Sequence, residues 1–461
     1  MTFWRPDPAL IRRPAYLSLA DQFDRAIHDG RLANGARLPT HRQLADEMQL
    51  SVQTVSRAYE ELIRRGLVSG EIGRGSFVRS RRKEPEPPYL PQRLGEVIDL
   101  SILKPVCEPM HLDKLKEALG WLAQTLPSSS ALSFRPNVVF PRHRAVAAEW
   151  LKTCGVTVSP LNVSLTNGAT PAMTVALMTA APPGSTAATE AIGHHTLVPL
   201  ASYLGFHLEG LAIDEDGLMP DALDEACAQS NIRTVFVQPS VINPTATLMS
   251  EGRRRAIAAV ARKHDITIIE NDVLGPMVED RPPPIASFAP ERTFYVTSFT
   301  KITVPGLRIG YLAAPDRFVA AVANRHLVSN WMATPMVAEI ASKWVEDGTA
   351  MDLALWQRET LRGRQDIAAE MLPGVRYFSH REGLHLWLPL PDGRTEESFV
   401  AHARLQGVGI APGLSFRTSD APWEPAVRIS LGSTTADELR SGLSVIAKLL
   451  LGDPEMHLLA I

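Results

Sequence analysis

The segment 295–310 sets one lysine among hydroxyl and guanidinium side chains. Lys301 closely follows Ser298 and Thr300, and Arg308 lies a little further along the chain. An amine held in a cationic, partly desolvated site has a lowered pKa and attacks carbonyl groups. The hydroxyls and the guanidinium can bind a phosphate through hydrogen bonds and charge. A phosphorylated aldehyde such as pyridoxal 5'-phosphate (PLP) suits this set of groups.

PLP chemistry also needs an acid at the pyridine nitrogen, further phosphate-binding groups and a receptor for a carboxylate. Gly168, Ala169 and Thr170 follow a predicted strand and open a predicted helix, so their N–H groups can bind an anion. Asp272, just after another predicted strand, can pair with the ring nitrogen, and Asn243 can bond the phenolic oxygen. Taken one at a time these signals are weak, because such residues are more often structural.

A scaffold must bring these distant groups together. From about Ile98, β-branched runs alternate with helical stretches rich in Ala and Leu, which predicts a largely parallel sheet covered by helices. A helix is predicted over 253–264, and the strands are predicted at 163–165, 186–189, 234–238, 266–270 and 293–297. Alternating residues at 384–388 and 427–431, with a final helix from Ala436, indicate a smaller α+β lobe.

The N-terminal part of the chain has the pattern of three short helices. Apolar spacing predicts a helix over 17–27, and Thr40 with Gln43 forms a capping box for a second helix. Ser51 caps a third helix, whose predicted apolar face is Val52, Val55, Ala58, Tyr59, Leu62 and Ile63. This is a helix-turn-helix whose second helix leaves polar side chains for base edges and phosphates, namely Gln53, Thr54, Ser56 and Arg57.

Residues 67–78, with Gly73-Arg74-Gly75 in the middle, predict a β-hairpin that completes a winged helix. Charge favours a polyanion partner for this end of the chain, because residues 1–83 carry a formal charge of +6 and the remainder −9. The alternative is a surface of salt bridges without such a partner.

Clustered proline and charge over residues 81–97 predict a semi-rigid linker. The spacing of Cys107, Cys154 and Cys227 suits neither a disulfide framework nor a zinc site, so we expect three buried thiols and no metal. The first residues contain no basic segment followed by an apolar run, and no stretch is long and uncharged enough to span a bilayer, which predicts a soluble cytoplasmic protein.

The N-terminal part resembles the GntR class of bacterial regulators across residues 17–78. The shared features include Ser-x-x-Thr-Val-x-x-Ala-Tyr from Ser51 and the Gly-x-Gly-Ser-Phe-Val wing from Gly73. Val52 stands where relatives often have arginine, so base readout at that position is open. The resemblance implies that Arg42, Thr54, Arg57 and Gly75 contact DNA. Gln53 is a further expected contact, because it points away from the apolar face of its helix.

The remainder, from about Asp99 to Leu451, resembles the fold-type I aminotransferases. Gly-Ala-Thr, Asn-Pro-Thr, Glu-x-Asp and Ser-x-Thr-Lys follow one another in that family's order. The resemblance implies Lys301 as the Schiff-base lysine, Asp272 as the partner of the ring nitrogen and Asn243 at the phenolic oxygen. The phosphate site that it implies consists of Gly168, Ala169, Thr170, Ser298, Thr300 and Arg308.

Arg428, in Val-Arg-Ile-Ser, matches the arginine that holds a substrate α-carboxylate with a bidentate fork, and its alternative is an ordinary strand arginine. His194 stands where relatives stack an aromatic ring on the cofactor, so it is either that group or a plain loop histidine. Leu274 replaces an aromatic residue whose hydroxyl supports the cofactor, and Ala246 replaces a glycine. Loss of the hydroxyl should weaken turnover more than covalent cofactor binding.

Both parts together resemble the MocR-type subfamily of GntR regulators over nearly the whole chain. The implied fold is multidomain, with an α+β winged helix-turn-helix over 1–80, the linker 81–97, and an α/β fold-type I PLP-dependent transferase domain over 98–461 that includes a smaller C-terminal α+β lobe. The implied function is PLP-dependent regulation of transcription by a head-to-tail homodimer that binds an operator in double-stranded DNA and senses an amino acid, an amine or PLP itself. The alternative is an active aminotransferase with an appended DNA-binding head.

Overall fold

The computed structural model describes residues 4–29, 31–32, 35–65, 67–71, 75–78, 97–136, 140–419 and 421–452. The chain divides into two compact units, Met1–Gln92 and Arg93–Ile461. The predicted linker 81–97 lies outside the described residues except for Val97, and so do Gly73 and Arg74 at the middle of the predicted hairpin.

The described part of the N-terminal unit has the predicted helix-turn-helix and hairpin. Its helices are Ala15–His28 (α1), His41–Met48 (α2) and Val52–Arg64 (α3), and its strands are Val68–Glu71 (β1) and Gly75–Val78 (β2), which pair antiparallel. The capping box of Thr40 and Gln43 is present, and the Ser51 side chain accepts a hydrogen bond from the Thr54 N–H. Gln49, with φ of 53°, ends α2 and turns the chain towards α3.

The buried stripe of α3 is narrower than predicted. Its buried residues are Val55, Ala58, Tyr59 and Leu62. Val52 and Ile63 expose 45% and 46% of their surface, so the prediction is wrong for these two. At 100° per residue they lie on the edges of the stripe, about 70 to 90° from its centre, where a neighbouring element covers a helix least.

A seven-stranded sheet forms the centre of the larger unit's described residues. In spatial order its strands are Val163–Thr166 (β4), Gly310–Ala313 (β12), Thr293–Ser298 (β11), Thr267–Asn271 (β10), Ile232–Val237 (β9), Thr186–Glu190 (β5) and His207–Leu211 (β6). β12 runs antiparallel to β4 and β11, and the other neighbours are parallel. The predicted, largely parallel sheet is confirmed, and the predicted strands agree with it to within a few residues.

Helices cover this sheet and build the C-terminal lobe. They are Pro109–Thr125 (α4), Ser128–Leu132 (α5), Pro141–Thr153 (α6), Ala169–Ala180 (α7), Leu197–Leu204 (α8), Pro220–Gln229 (α9), Glu251–Lys263 (α10), Ile285–Phe288 (α11), Val319–Asn330 (α12), Pro335–Glu346 (α13), Thr349–Met371 (α14), Glu396–Leu405 (α15) and Ala436–Leu451 (α16). The apolar residues of α7, among them Met173 and Leu177, pack in one core with Phe236 of β9 and Phe294 of β11.

The lobe is an α+β layer, as predicted. Its described sheet is antiparallel and contains, in spatial order, Phe378–Ser379 (β13), His385–Pro389 (β14), Ala426–Ser430 (β17) and Ala411–Pro412 (β16). Leu443 of α16 belongs to the same apolar core as Leu388 and Val427 of this sheet. Short pairs are formed by Ile98–Asp99 (β3) with Val408–Gly409 (β15), and by Ile213–Asp214 (β7) with Gly217–Leu218 (β8).

The central strands place the predicted site at one edge of the sheet. β10 and β11 are buried over their whole length, as expected for parallel strands with helices on both faces. Because parallel strands end at the same edge, the residues that follow them meet there. Asp272 follows β10 directly, and Lys301 lies in a 3-10 turn, Phe299–Lys301, directly after β11.

The cysteines differ in part from the prediction. Cys154 is buried and Cys227 half-buried, but Cys107 is exposed, so the prediction is wrong for Cys107. It lies in the connecting segment just before α4. No helix within the described ranges is long and apolar enough to cross a membrane. In the same part of the chain, no group of three or more His, Cys, Asp or Glu residues is arranged to hold a metal ion.

Candidate cofactor and DNA-binding sites

Lys301 has the environment of a nucleophilic amine. Burial lowers its pKa to about 7, and the positive charges of Arg428 and Arg308 act in the same direction. Its Nζ donates a hydrogen bond to the carbonyl of Leu103. A large fraction of such a lysine is neutral at physiological pH and can bond to an aldehyde.

Asp272 presents two unlike carboxylate oxygens. Its Oδ2 accepts hydrogen bonds from the Tyr295 hydroxyl, at 2.7 Å, and from the Arg281 guanidinium. Its buried Oδ1 has no hydrogen-bond partner among the described residues. Burial would raise the pKa of Asp272, but Arg281, Arg254 and the Tyr295 hydrogen bond together hold it below its usual value. The side chain is therefore an ionised acceptor with one oxygen left for a further donor.

A candidate anion cradle, formed by Gly168, Ser298, Thr300 and Arg308, lies at the N-terminus of α7. Gly168 precedes the helix with φ of 97°, and a Cβ at this position would lie 2.9 Å from Arg308 Nη2. Arg308 Nη1 lies 3.5 Å from the Thr300 hydroxyl, its acceptor. The buried Ser298 lies opposite Gly310 on the neighbouring strand. A Cβ added at Gly310 would lie 2.7 Å from the Gly168 carbonyl carbon. The structure thus brings together Gly168, Ser298, Thr300 and Arg308, with Ala169 and Thr170 in the first turn of α7.

Arg428 and Asn243 also meet. Arg428, on β17, is 2% exposed, and its Nη1 donates to Asn243 Oδ1 at 2.8 Å. Its Nη2 donates to the Ser101 carbonyl at 2.5 Å, and the guanidinium carbon lies 4.9 Å from the centre of the Phe416 ring. A buried guanidinium held on two oxygens has the geometry to exchange them for a carboxylate.

His194 belongs to a stacked pair that the sequence reasoning did not anticipate. The rings of His194 and His195 lie 4.7 Å apart at 19°, and His194 Nδ1 lies 2.8 Å from the Thr196 hydroxyl. Burial lowers the pKa of His194 well below its usual value, and the charges of His195, Lys301 and Arg428 add to the effect. His194 is therefore a neutral ring close to the site's cations. The only sequence signal for His195 was the adjacent pair of histidines after β5.

Tyr295 and Arg281 are further residues of the site that sequence reasoning missed. Tyr295 lies on β11, where it reads as one more buried strand residue, and Arg281 lies in a proline-rich loop nine positions after Asp272. Neither position belongs to a motif, and only the fold brings them to the carboxylate.

The predicted DNA-binding side chains are mostly on the surface of the N-terminal unit. Arg42 on α2 and Gln53 and Arg57 on α3 are exposed, and Thr54 is half-buried with its hydroxyl 2.8 Å from that of Ser51. The Arg57 guanidinium lies 4.1 Å from the centre of the Tyr16 ring. Such stacking limits the conformations of a long side chain while its N–H groups remain available.

Gly75 opens the second strand of the hairpin with φ of 119°. A Cβ there would lie 3.0 Å from Arg37 Nε. A side chain would therefore be strained at this position and would crowd an arginine, which explains the need for glycine.

Each of the two units contains a segment that matches a known protein family. Residues 108–446 match the model for aminotransferase class I and II. The chain belongs to the aminotransferase class I and II family. In this aminotransferase-family chain, residues 15–78 match the model for bacterial regulatory proteins of the gntR family. The two-part architecture predicted from the sequence is confirmed.

Two HTH-type transcriptional regulators resemble this aminotransferase-family chain over nearly its full length. It is 27% identical to the uncharacterized HTH-type transcriptional regulator YdeF of Bacillus subtilis (strain 168), over 97% of this chain and 96% of that protein. It is 26% identical to the uncharacterized HTH-type transcriptional regulator YjiR of Escherichia coli (strain K12), over 94% and 98% of the two chains.

Solved aminotransferases share the fold of the larger unit. Pyrococcus horikoshii kynurenine aminotransferase, in complex with PMP, has a TM-score of 0.71 at 19% identity, over 77% of this chain and 91% of that one. Thermus thermophilus LysN, an alpha-aminoadipate aminotransferase complexed with N-(5'-phosphopyridoxyl)-L-leucine, has a TM-score of 0.70 at 21% identity, over 77% and 92%. At these identities the likeness establishes the fold-type I architecture.

PLP, the cofactor expected from the sequence and implied by the family, fits the described residues. The ionised Asp272 has a buried oxygen without a donor, and a Cβ at Gly168 would fill the cradle beneath Arg308. Lys301 adds an amine with a lowered pKa. These features match the needs of a pyridine nitrogen, a phosphate and an aldehyde.

Proposed function

We propose that the chain is a PLP-dependent, DNA-binding transcriptional regulator that senses an amino acid or amine through its aminotransferase-like unit. One observation carries this proposal above all. The same chain holds a GntR-type recognition helix and, in its other unit, a lysine of lowered pKa near a buried arginine. Because operator DNA is in the bacterial cytoplasm, we place the protein there.

On the DNA side, α3 would enter the major groove. Gln53, Thr54 and Arg57 would contact base edges or phosphates from its outer face, as second helices of helix-turn-helix proteins do. Arg42, at the start of α2, would bind a phosphate, and the hairpin near Gly75 would approach the backbone closely. Support comes from the exposure of the three charged or amide side chains, Arg42, Gln53 and Arg57.

On the cofactor side, each group has a proposed task. PLP, when bound, supplies an aldehyde for reversible bonding to amines and a ring that withdraws electrons. Lys301 would bond to the aldehyde, Asp272 would accept a hydrogen bond from the protonated ring nitrogen, and Asn243 would form a hydrogen bond with the phenolic oxygen. His194 would lie against the ring. The proposed phosphate ligands are Gly168, Ala169, Thr170, Ser298, Thr300 and Arg308.

Arg428 would receive the effector's carboxylate. To do so its two terminal nitrogens would leave Asn243 Oδ1 and the Ser101 carbonyl, which they bind in this structure. An effector changes DNA affinity only by the amount that it discriminates between two arrangements of the protein. We propose that a head-to-tail homodimer provides these arrangements. PLP itself as the effector is a variant of the same scheme.

The second candidate function is that of a working aminotransferase. It is favoured by the retained site, since Lys301, Asp272 and Arg428 are each held in a buried or partly buried, charged environment. Against it stands Leu274, a buried residue without a hydroxyl at a position where relatives have an aromatic one.

The experiment measures the absorbance of bound PLP and the release of keto acid after amines are added to the purified chain, with Lys301→Ala as the matched control. A regulator should change its absorbance with an amine and release keto acid slowly or not at all. Rapid multiple turnover with ordinary amino acids would favour the enzyme. Failure of the wild-type chain to take up PLP would reject both.

A further inference from the structure

The Asp272 carboxylate is not free to serve the cofactor alone. Arg281 binds its Oδ2 as an ion pair, and both side chains are withdrawn from solvent, with 10% exposure for Arg281 and none for Asp272. The Tyr295 hydroxyl donates to the same oxygen. A full positive charge therefore lies next to the carboxylate that would accept a hydrogen bond from the protonated ring nitrogen.

We propose that Arg281 is a positioning residue that weakens the proton affinity of the cofactor's ring nitrogen by neutralising part of the Asp272 charge. The inference rests on the proposed binding of PLP at this site. The reason is electrostatic, because a protonated ring nitrogen is stabilised by the carboxylate and destabilised by a nearby cation. Arg281 would act on the ring nitrogen through Asp272, the carboxylate that it binds.

The other groups around Asp272 do not remove this effect. Arg254 of α10 adds a second positive charge, and Glu270 of β10 adds a negative one. Burial raises the pKa of Glu270, and the charge of Asp272 acts in the same direction, so the negative charge of Glu270 is weakened. The remaining neighbours are uncharged near neutral pH and comprise the Tyr295 hydroxyl, the Cys154 thiol and the Ser240 hydroxyl.

The surrounding backbone keeps the ion pair in place. A Cβ at Gly275 would lie 2.2 Å from Asp272 Oδ1, 2.4 Å from Oδ2 and 2.5 Å from Arg281 Nη1. Glycine at 275 thus lets the loop close on both partners. Arg281 also donates to the Cys154 carbonyl at the end of α6, which ties the guanidinium to a second element. The ion pair is therefore fixed by two further parts of the fold, the loop at Gly275 and the end of α6.

This arrangement has a chemical consequence. When PLP is bound, breaking a bond at a substrate's α-carbon would depend strongly on protonation of the ring nitrogen, whereas bonding of an amine to the aldehyde would depend on it much less. Weaker protonation therefore disfavours turnover and leaves amine binding intact, which is the balance that a sensor needs.

The test is a pH titration of the nitrogen-15 chemical shift of ring-labelled PLP bound to the full chain. In the wild type, the ring nitrogen should lose its proton within the pH range where the protein is folded. Arg281→Met and Arg281→Gln should raise the pH at which the ring nitrogen loses its proton by about one unit or more. Arg281→Lys should leave that pH close to the wild-type value. The glutamine variant keeps a donor for the Cys154 carbonyl in case methionine prevents folding.

Tyr295→Phe is the matched control, because it removes a neutral donor from the same oxygen. If Arg281 only orients Asp272, the neutral Arg281 variants and Tyr295→Phe will shift the titration equally, and the inference is overturned. A ring nitrogen that stays protonated throughout in the wild type also overturns it. A wild-type chain that takes up no PLP would instead reject the proposed function.

Discussion

PLP uptake by the cofactor-free protein should accelerate as pH rises through about 7 and then level off. Only the neutral amine attacks the aldehyde, and burial with two arginines lowers the Lys301 pKa from 10.5 to about 7. At pH 7 about half of the Lys301 amines are then neutral, against roughly 0.03% for an ordinary lysine, which is about a thousandfold more nucleophile. The structure therefore predicts a midpoint well below that of a solvent-exposed lysine.

Arg428→Gln tests the cause of this shift. After burial, Arg428 contributes most to the lowered pKa of Lys301, so its removal should raise the midpoint by about one pH unit. Arg440→Gln is the control, because Arg440 pairs with Glu370 on the surface of α16 and should leave the midpoint unchanged.

The assay follows the growth of bound-PLP absorbance by rapid mixing at a series of pH values. A lysine analogue in free solution, run in the same buffers, corrects for ionisation of PLP itself. If the wild-type rate still climbs steeply above pH 9, Lys301 is an ordinary lysine and the reasoning about its environment is refuted.

Further predictions concern both units. Arg57→Ala should weaken operator binding by about 1 to 3 kcal/mol if the guanidinium reads a base, with the bound-PLP absorbance unchanged; loss of that absorbance would contradict two separable units. Ser51→Ala removes the cap of α3 and should lower the free energy of unfolding of the N-terminal unit by about 1 kcal/mol in urea denaturation, and an unchanged midpoint would argue against the cap. Gly168→Val puts a branched side chain where a Cβ lies 2.9 Å from Arg308 and should raise the PLP Kd about tenfold or more in equilibrium dialysis. Gly363→Ala, whose Cβ meets no atom within 4 Å, should leave the Kd unchanged, and equal effects of the two substitutions would contradict the cradle.

Local signals predicted the elements well. The Thr40 and Ser51 caps set the starts of α2 and α3, because a side-chain oxygen can satisfy an orphan N–H from within a few residues of sequence. Strand ends were also readable, since buried β-branched runs stop where Asp272 and Lys301 follow. Once a parallel sheet is assumed, the residues that follow its strands are expected to meet at one edge, and this was enough to place Asp272 and Lys301 together.

Contacts between distant residues were not readable in the same way. Arg281 and Tyr295 reach Asp272 from a loop and a neighbouring strand, and neither position carries a motif. Val52 was misjudged for a related reason. Burial at the edge of an apolar stripe depends on which other elements pack against the helix. The spacing of apolar residues along that helix does not reveal those elements.

We propose that the chemistry at Lys301 changes the affinity of the N-terminal unit for DNA. The most direct test is the operator Kd of the full chain, measured on DNA recovered from around its own promoter, without ligand, with PLP, and with PLP plus candidate amines. The wild-type Kd should change with PLP plus an amine, or with PLP alone if PLP is the effector, and Lys301→Ala should bind the DNA but show no such response. An operator Kd that is the same in all three conditions for the wild type, or an equal response in Lys301→Ala, would contradict the account.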